Sequence, residues 1–260
     1  MARPVALVTG ASIGIGKEIA ARLAREGHDL ILVARSADKL LAVAEELQKK
    51  HGATSTVIAA DLGQPGSAQK LFDAVQAKHL VVDVLVNNAG FGLKGRFVKL
   101  SLAEQQEMIQ LNITTLTELC WLFGRDMAAR GRGRILNVGS VGSFQPGPEF
   151  GVYSATKAYV LSFSEAIDAE LRSQGVNVTA LCPGAVLTNF HARASNESKI
   201  LLATAMQAEP VARAGVRALF GKRPVVIPGL LNRIAIFSVR LMPRRVVTGV
   251  SYLLIGRSPT

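Results

Sequence analysis

Short, wholly apolar runs recur along the first three quarters of the chain. Between them lie longer stretches whose apolar residues return every three to four positions. A run without alternation buries both of its faces, as a strand does in a parallel sheet covered by helices on either side. The runs predict strands over residues 3–8, 30–33, 55–60, 82–86, 135–138 and 176–181. The periodic stretches predict a helix from residue 17 to about Glu26, with Ile19, Ala20 and Leu23 on its inner face and Gly27 as its stop. Further helices are predicted over 38–50, 67–78 and 102–127, and from the segment around Tyr153 to about Ser173. Residues 224–229 predict a last short strand, and 230–242 a last helix that Pro243 ends. Strand and helix alternate with no linker, repeat or low-complexity tract between them. The expectation is one α/β domain over residues 1–260, a doubly wound, mostly parallel seven-stranded sheet with helices on both faces.

Composition supports this picture and narrows it. Half of the 260 residues are hydrophobic and about a fifth are charged, which suits a folded domain with a full core. Cys120 and Cys182 stand in apolar surroundings without metal-ligand spacing, so buried thiols in a reducing, cytoplasmic compartment are expected. Residues 5–8 are too short for the apolar region of a signal peptide, and no run of 18 or more apolar residues predicts a membrane span. His28, His51, His79 and His191 fall in turns or at helix ends and form no ligand or triad pattern, so all four are expected on the surface and no metal site is predicted. Ser140 is not in a hydrolase elbow, because Val138 stands where the first glycine of G-x-S-x-G belongs.

The candidate chemistry sits at the carboxyl ends of the predicted strands. Between the first strand and its helix lie Gly10, Gly14 and Gly16, which let backbone approach a pyrophosphate at a helix N-terminus. Ser12, Ile13 and Ile15 complete that turn, in a Rossmann-type setting. At the end of the second strand an acidic residue would bond a ribose 2′-hydroxyl, but the chain reads Val33-Ala34-Arg35-Ser36. The Arg35 guanidinium suits a 2′-phosphate, which favours NADP(H) over NAD(H). Asp61, followed by Leu62, either accepts a hydrogen bond from an adenine amino group or starts the turn that Gly63, Gln64 and Pro65 favour. Asn88, Ala89 and Gly90 end the fourth strand with small residues that let backbone pass close to a ligand. Tyr153 and Lys157, four apart on a helix, share a face. A phenol beside an ammonium ionises more easily, and Ser140 can bond the same substrate oxygen.

Together, Thr9 to Gly16 as TGxxxGIG, Asp61, the NNAG of 87–90, Asn112, Ser140, Tyr153-x-x-x-Lys157 and Pro183-Gly184 stand in the order and spacing of the short-chain dehydrogenase/reductases. Residues 4–190 resemble that family. The resemblance implies hydride transfer between a nicotinamide C4 and a carbonyl carbon, with Tyr153 as acid/base and Ser140 holding the reacting oxygen. Lys157 would bind the nicotinamide ribose and lower the Tyr153 pKa, and Asn112 would hold a water linking Lys157 to solvent. Pro183, Gly184 and Thr188 would flank the nicotinamide. A family member that binds nucleotide without turnover is the alternative.

After Thr188 the chain departs from the commonest family ending and resembles the branch with 3-ketoacyl and ketosteroid reductases. Residues 188–206, with Phe190, Ile200, Leu201 and Leu202, predict an apolar lid for a lipophilic carbonyl compound. The net charge of +11 is uneven: residues 1–190 hold 19 Lys/Arg against 17 Asp/Glu, and residues 191–260 hold 11 against 2. In 230–242, Leu230, Ile234, Phe237 and Leu241 fall on one helical face beside Arg233 and Arg240, with Arg244 and Arg245 following Pro243. This basic apolar extension, 229–257, suits core packing or a homo-oligomer seam, a peripheral membrane contact, or an acidic carrier. No recognition-helix motif accompanies the charge, so nucleic acid is not an expected partner.

Overall fold

The computed structural model describes residues 3–187 and 204–255. Seven strands form one sheet: β1 Val5–Thr9, β2 Asp29–Ala34, β3 Ser55–Ala59, β4 Val82–Asn87, β5 Gly133–Val138, β6 Val176–Leu181 and β7 Val225–Val226. The order is β3-β2-β1-β4-β5-β6-β7, and every pair is parallel. The chain winds outward from β1 to β3, returns across the sheet, and winds the other way from β4. The carboxyl ends of β1 and β4 therefore face a crevice from which the connections diverge.

The uninterrupted apolar runs have a direct cause. Ala6, Val8, Leu30 and Leu32 point into one core with Ile19, Leu23 and Leu40 of α1 (Gly14–Arg25) and α2 (Ala37–His51). Leu7, Ile31 and Leu85 point into the opposite core, against α3 (Ser67–Gln76), α5 (Leu116–Ala129) and α6 (Gly151–Leu171). Successive residues of a strand thus enter different cores, so the runs are mostly apolar, and buried polar side chains such as Thr9, Asn87 and Asn137 enter with hydrogen-bond partners. The first core is completed by Val211, Val216 and Leu219 of α7 (Ala208–Phe220).

Three expectations change. The helix predicted over 102–127 is α4 (Leu102–Ile109) and α5 joined by a π-helical turn, Gln110–Thr115, which widens the helix around Asn112. The final helix is α8 (Leu230–Val239), and beyond Pro243 a second helix follows, α9 (Arg244–Ile255). Pro243 starts that helix as well as ending the one before, its carbonyl accepting from the amides of Val246 and Val247. His28 is buried, 6% exposed, which corrects the surface assignment. Gly27 takes a φ of +87°, and the turn folds the imidazole onto Phe220 at 5.6 Å, with Nδ1 donating to the Leu23 carbonyl at 3.2 Å. His79 is exposed, His51 is half-buried, and His191 lies outside the described residues. Both cysteines are buried thiols, as expected. Of the predicted lid, only 204–206 are described; Met206 bonds the backbone of Ala185 and Leu187, and Phe190, Ile200, Leu201 and Leu202 lie outside.

Candidate active site

The crevice between β1 and β4 is pinned by the first strand's last residue. Thr9 Oγ1 donates to the Val86 carbonyl at 3.1 Å and accepts from the amides of Asn88 and Ala89, both at 3.0 Å. The Asn88 amide in turn donates to the carbonyls of Thr9 at 2.9 Å and Gly10 at 3.2 Å. Gly10, at φ +65°, leaves no room for a side chain, since a Cβ there would lie 2.6 Å from Asn88 Nδ2. At Gly16 a Cβ would lie 2.3 Å from the Gly10 carbonyl oxygen, so the turn closes tightly on the start of α1. Ile13 occupies the N-cap position of α1 and has no side chain able to cap it. The first amides of that helix are left to an outside acceptor, and with the helix dipole they suit an anion.

A cleft of about 510 Å³ runs over this turn. Of the sequence-predicted site residues that are described, all line it except Gly16 and Asn112, which stand behind its wall; Thr188 lies outside the described residues. At one end Arg35 is joined by Ser36 and Lys39, two residues the sequence reading passed over. Lys39 is four residues beyond Arg35, which brings a second cation to the same rim. Asp61 Oδ1 accepts from the Gly63 amide at 3.0 Å, so this carboxylate holds its own turn while bordering the cleft.

The other end carries the reactive groups. Ser140 follows β5 and caps a short turn, Val141–Phe144, with Oγ accepting from the Gly142 amide at 3.0 Å. Ser143 Oγ accepts from the Ser140 amide at 3.2 Å and donates to the Lys157 carbonyl at 2.7 Å, fixing the turn to α6. Tyr153 and Lys157 project from α6 on one face, and the Tyr153 ring meets Phe150 edge-on at 5.8 Å. Lys157 is 6% exposed; its ammonium lies 5.8 Å from the Tyr153 ring centre and donates to the Val138 carbonyl at 2.7 Å. Asn112 donates to the Phe91 carbonyl at 3.0 Å and to Thr156 Oγ1 at 3.1 Å, joining the Gly90 turn to α6 beside Lys157.

Burial governs the ionisation here. It pushes the Tyr153 hydroxyl up to about 12, while a hydrogen bond with Ser140 pulls the other way. Burial also pushes the Lys157 ammonium down to about 8. The expected lowering of the Tyr153 pKa by Lys157 is not among the effects at work in this geometry, where the ammonium is bonded to Val138. The phenol is held in its acid form, hydrogen-bonded and ready to give a proton. Cys182 lies behind this centre, and burial raises its thiol to about 12, so it is not a nucleophile at neutral pH.

The cleft is also lined by Phe91, Val141, Gln145, Phe150 and Val186, none of which a motif signals. Pro183 and Gly184 follow β6. The Asn232 side chain of α8 fills the space over Gly184, where a Cβ would lie 2.6 Å from Nδ2, and donates to the Pro228 carbonyl at 2.8 Å. Outward, α8 exposes Leu230, Ile234 and Phe237, and Leu241 just beyond it is exposed as well, so core packing of that stripe is excluded.

A family profile described as short chain dehydrogenase matches residues 4–199. The chain is 36% identical over 188 residues to 17-beta-hydroxysteroid dehydrogenase type 3 of Rattus norvegicus, covering 70% of this chain and 60% of that enzyme. It is 34% identical over 195 residues to the 3-oxoacyl-(acyl-carrier-protein) reductase FabG of Aquifex aeolicus, covering 75% and 79%. Among solved structures, a short-chain dehydrogenase from Sphingobium yanoikuyae in complex with NADPH superposes with a TM-score of 0.82 at 34% identity, over 92% of this chain and 94% of that one.

Proposed function

The chain belongs to the short-chain dehydrogenase family, and from that premise we propose that it is an NADP(H)-dependent oxidoreductase that reduces a lipophilic carbonyl compound or oxidises the matching alcohol. The observation that carries the reading is the hydrogen-bonded Tyr153 and Ser140 pair, with Lys157 beneath it, at one end of a cleft whose other end is a glycine cradle rimmed by cations. The residues present fit the cofactor. The backbone of the Gly10–Gly16 turn would hold the pyrophosphate, Arg35 and Lys39 would hold the 2′-phosphate, and Asp61 would border the adenine. When bound, NADPH supplies the hydride that the carbonyl carbon accepts.

The protein's own part is to hold the carbonyl and manage the proton. Ser140 donates a hydrogen bond to the carbonyl oxygen, and Tyr153 gives it a proton as negative charge develops there. Because burial disfavours the phenolate, Tyr153 is soon reprotonated, and Lys157 with a water at Asn112 is the route. Phe91, Val141, Phe150 and Val186 exclude water and favour an apolar substrate, such as a 3-ketoacyl or ketosteroid-like compound. The relatives named a hydroxysteroid dehydrogenase and an oxoacyl reductase support that class. We take residues 1–260 as one catalytic domain, acting in the cytoplasm as a homo-oligomer. Residues 229–257 contact an anionic surface. The test is carbonyl-dependent loss of NADPH absorbance across ketones, aldehydes and 3-ketoacyl compounds. Tyr153→Phe should lower kcat by roughly 10²–10⁴-fold and leave NADPH affinity unchanged. Binding of NADPH without turnover of any carbonyl would return the chain to a silent nucleotide-binding role.

A further inference from the structure

The feature that the cleft does not account for is the outer face of the C-terminal helix pair. On α8, Asn232, Ile236 and Val239 turn toward the protein, while Leu230, Ile234 and Phe237 stand on the opposite side, followed by exposed Leu241 just past the helix, Phe237 being 62% exposed. On α9, Val247 and Ser251 are buried, and Val246, Val250 and Leu253 face out, Leu253 being 78% exposed. Arg233 and Arg240 flank the α8 stripe at the edge where exposed and buried sides meet. Arg244 and Arg245 open α9, and all four are exposed. Among the described residues none of the four forms an ion pair. From residue 210 to the end of the sequence there are nine Lys/Arg and no Asp or Glu.

We propose that α8 and α9 lay this face in the interface of a bilayer bearing anionic head groups, beside the mouth of the cleft. The apolar stripe and its flanking arginines are what an interfacial helix needs: a face for the acyl boundary and long cations that reach the head groups. The helices, 10 and 12 residues long, lie on the surface, since no described helix is long and apolar enough to cross. A second copy fits poorly. A two-fold contact sets the same patch against itself, and four arginines without a carboxylate would oppose four more. An acidic protein would meet the arginines yet leave the stripe uncovered. The position matters as well. The inner side of α8 puts Asn232 on Gly184 and packs against the Val141–Phe144 turn, so the docked face adjoins the substrate end. Delivery of a lipophilic carbonyl from the bilayer follows, and that step rests on the reaction proposed above.

Flotation of the full chain, without cofactor, on vesicles of phosphatidylcholine alone and with phosphatidylglycerol tests the docking. The wild type should float only with the anionic vesicles and should be released by a few tenths molar salt. Each cation near such a surface is worth roughly fivefold in partitioning, so Arg240→Glu with Arg244→Glu should lower binding more than tenfold. Phe237→Glu should do the same from the apolar side, and both variants should bind NADPH like the wild type. Equal recovery of the wild type in the unbound fraction everywhere overturns the proposal. So does binding indifferent to lipid charge, or a wild-type dimer that Phe237→Glu dissociates in the absence of any vesicle binding. Flotation needs no turnover, so an enzyme that reduces no carbonyl sinks the reaction and leaves the docking result standing. If both hold, Phe237→Glu should raise KM for a vesicle-borne ketone and leave a water-soluble ketone unaffected.

Discussion

Tyr153 works against its surroundings and with them at once. Burial makes its phenolate costly, which suits a proton donor and not a standing base. The ammonium below it is the weaker point. Lys157 is pushed down to about 8, so it is charged below that pH and neutral above it. Reprotonation of Tyr153 draws on that ammonium, and kcat/KM for carbonyl reduction should fall as pH rises through about 8. A rate profile from pH 6 to 10 measures this; a flat profile through 8 would remove Lys157 from the proton route. At the far end of the cleft, the proposed role of Arg35 is the choice of cofactor. Losing a charge-assisted bond costs about 1.5–3 kcal/mol, so Arg35→Ala should weaken NADPH binding about ten- to a hundredfold with little change for NADH. The Arg35→Ala, Lys39→Ala double variant should lose more, because both cations share the rim. Titration of intrinsic fluorescence or calorimetry reads both. Equal loss for the two cofactors would show that Arg35 does not meet the 2′-phosphate.

The elements divide by how local their causes are. All six strands of the N-terminal three quarters, and most of the helices between them, are legible because each strand feeds two cores and is therefore apolar over most of its length. The glycine turn, Ser140, Tyr153 and Lys157 are legible because their chemistry demands residue types at fixed spacing. Lys39 was missed although it stands one turn beyond Arg35, since a surface lysine carries no signal until the helix direction is known. The π-turn around Asn112 was also missed: Gln110–Thr115 contains neither glycine nor proline, and its register is set by Phe91 and Thr156, residues distant in the sequence. His28 was misplaced for the same reason, its burial depending on Phe220 almost two hundred positions later. That burial has a measurable consequence. It lowers the His28 pKa below the ordinary 6.5. Between the lowered value and 6.5 the unfolded chain binds a proton that the folded protein refuses, so stability falls as pH drops through that window. His28→Phe, which keeps a ring against Phe220, should flatten the difference in urea stability between pH 8 and pH 5.5. An unchanged slope would place the acid sensitivity elsewhere.

At the scale of the whole molecule, two of the exposed apolar faces among the described residues differ in charge. The C-terminal face is ringed by arginines that form no ion pair among the described residues. The other lies on α5 and α6, where Trp121 is 61% exposed under Arg125, at 4.7 Å from the ring centre, and Tyr159 stacks on Phe163 at 5.5 Å. Tyr159 OH also bonds Thr117 Oγ1 at 2.9 Å, which ties the two helices together on this side. Large exposed aromatics grouped on neighbouring helices mark an interface, and here acidic residues such as Glu118 and Glu165 accompany the basic ones. A two-fold pairing of this face with itself therefore opposes no single-sign field, in contrast to α8 and α9. The homo-oligomer should form here. Trp121→Glu removes a central anchor, and truncating such a residue costs 2 kcal/mol or more, about thirtyfold in the association constant. Light scattering across a dilution series should show the variant dissociating at concentrations where the wild type stays associated, while its flotation on anionic vesicles is unchanged. An oligomer that survives Trp121→Glu and is lost with Phe237→Glu would exchange the roles of the two faces.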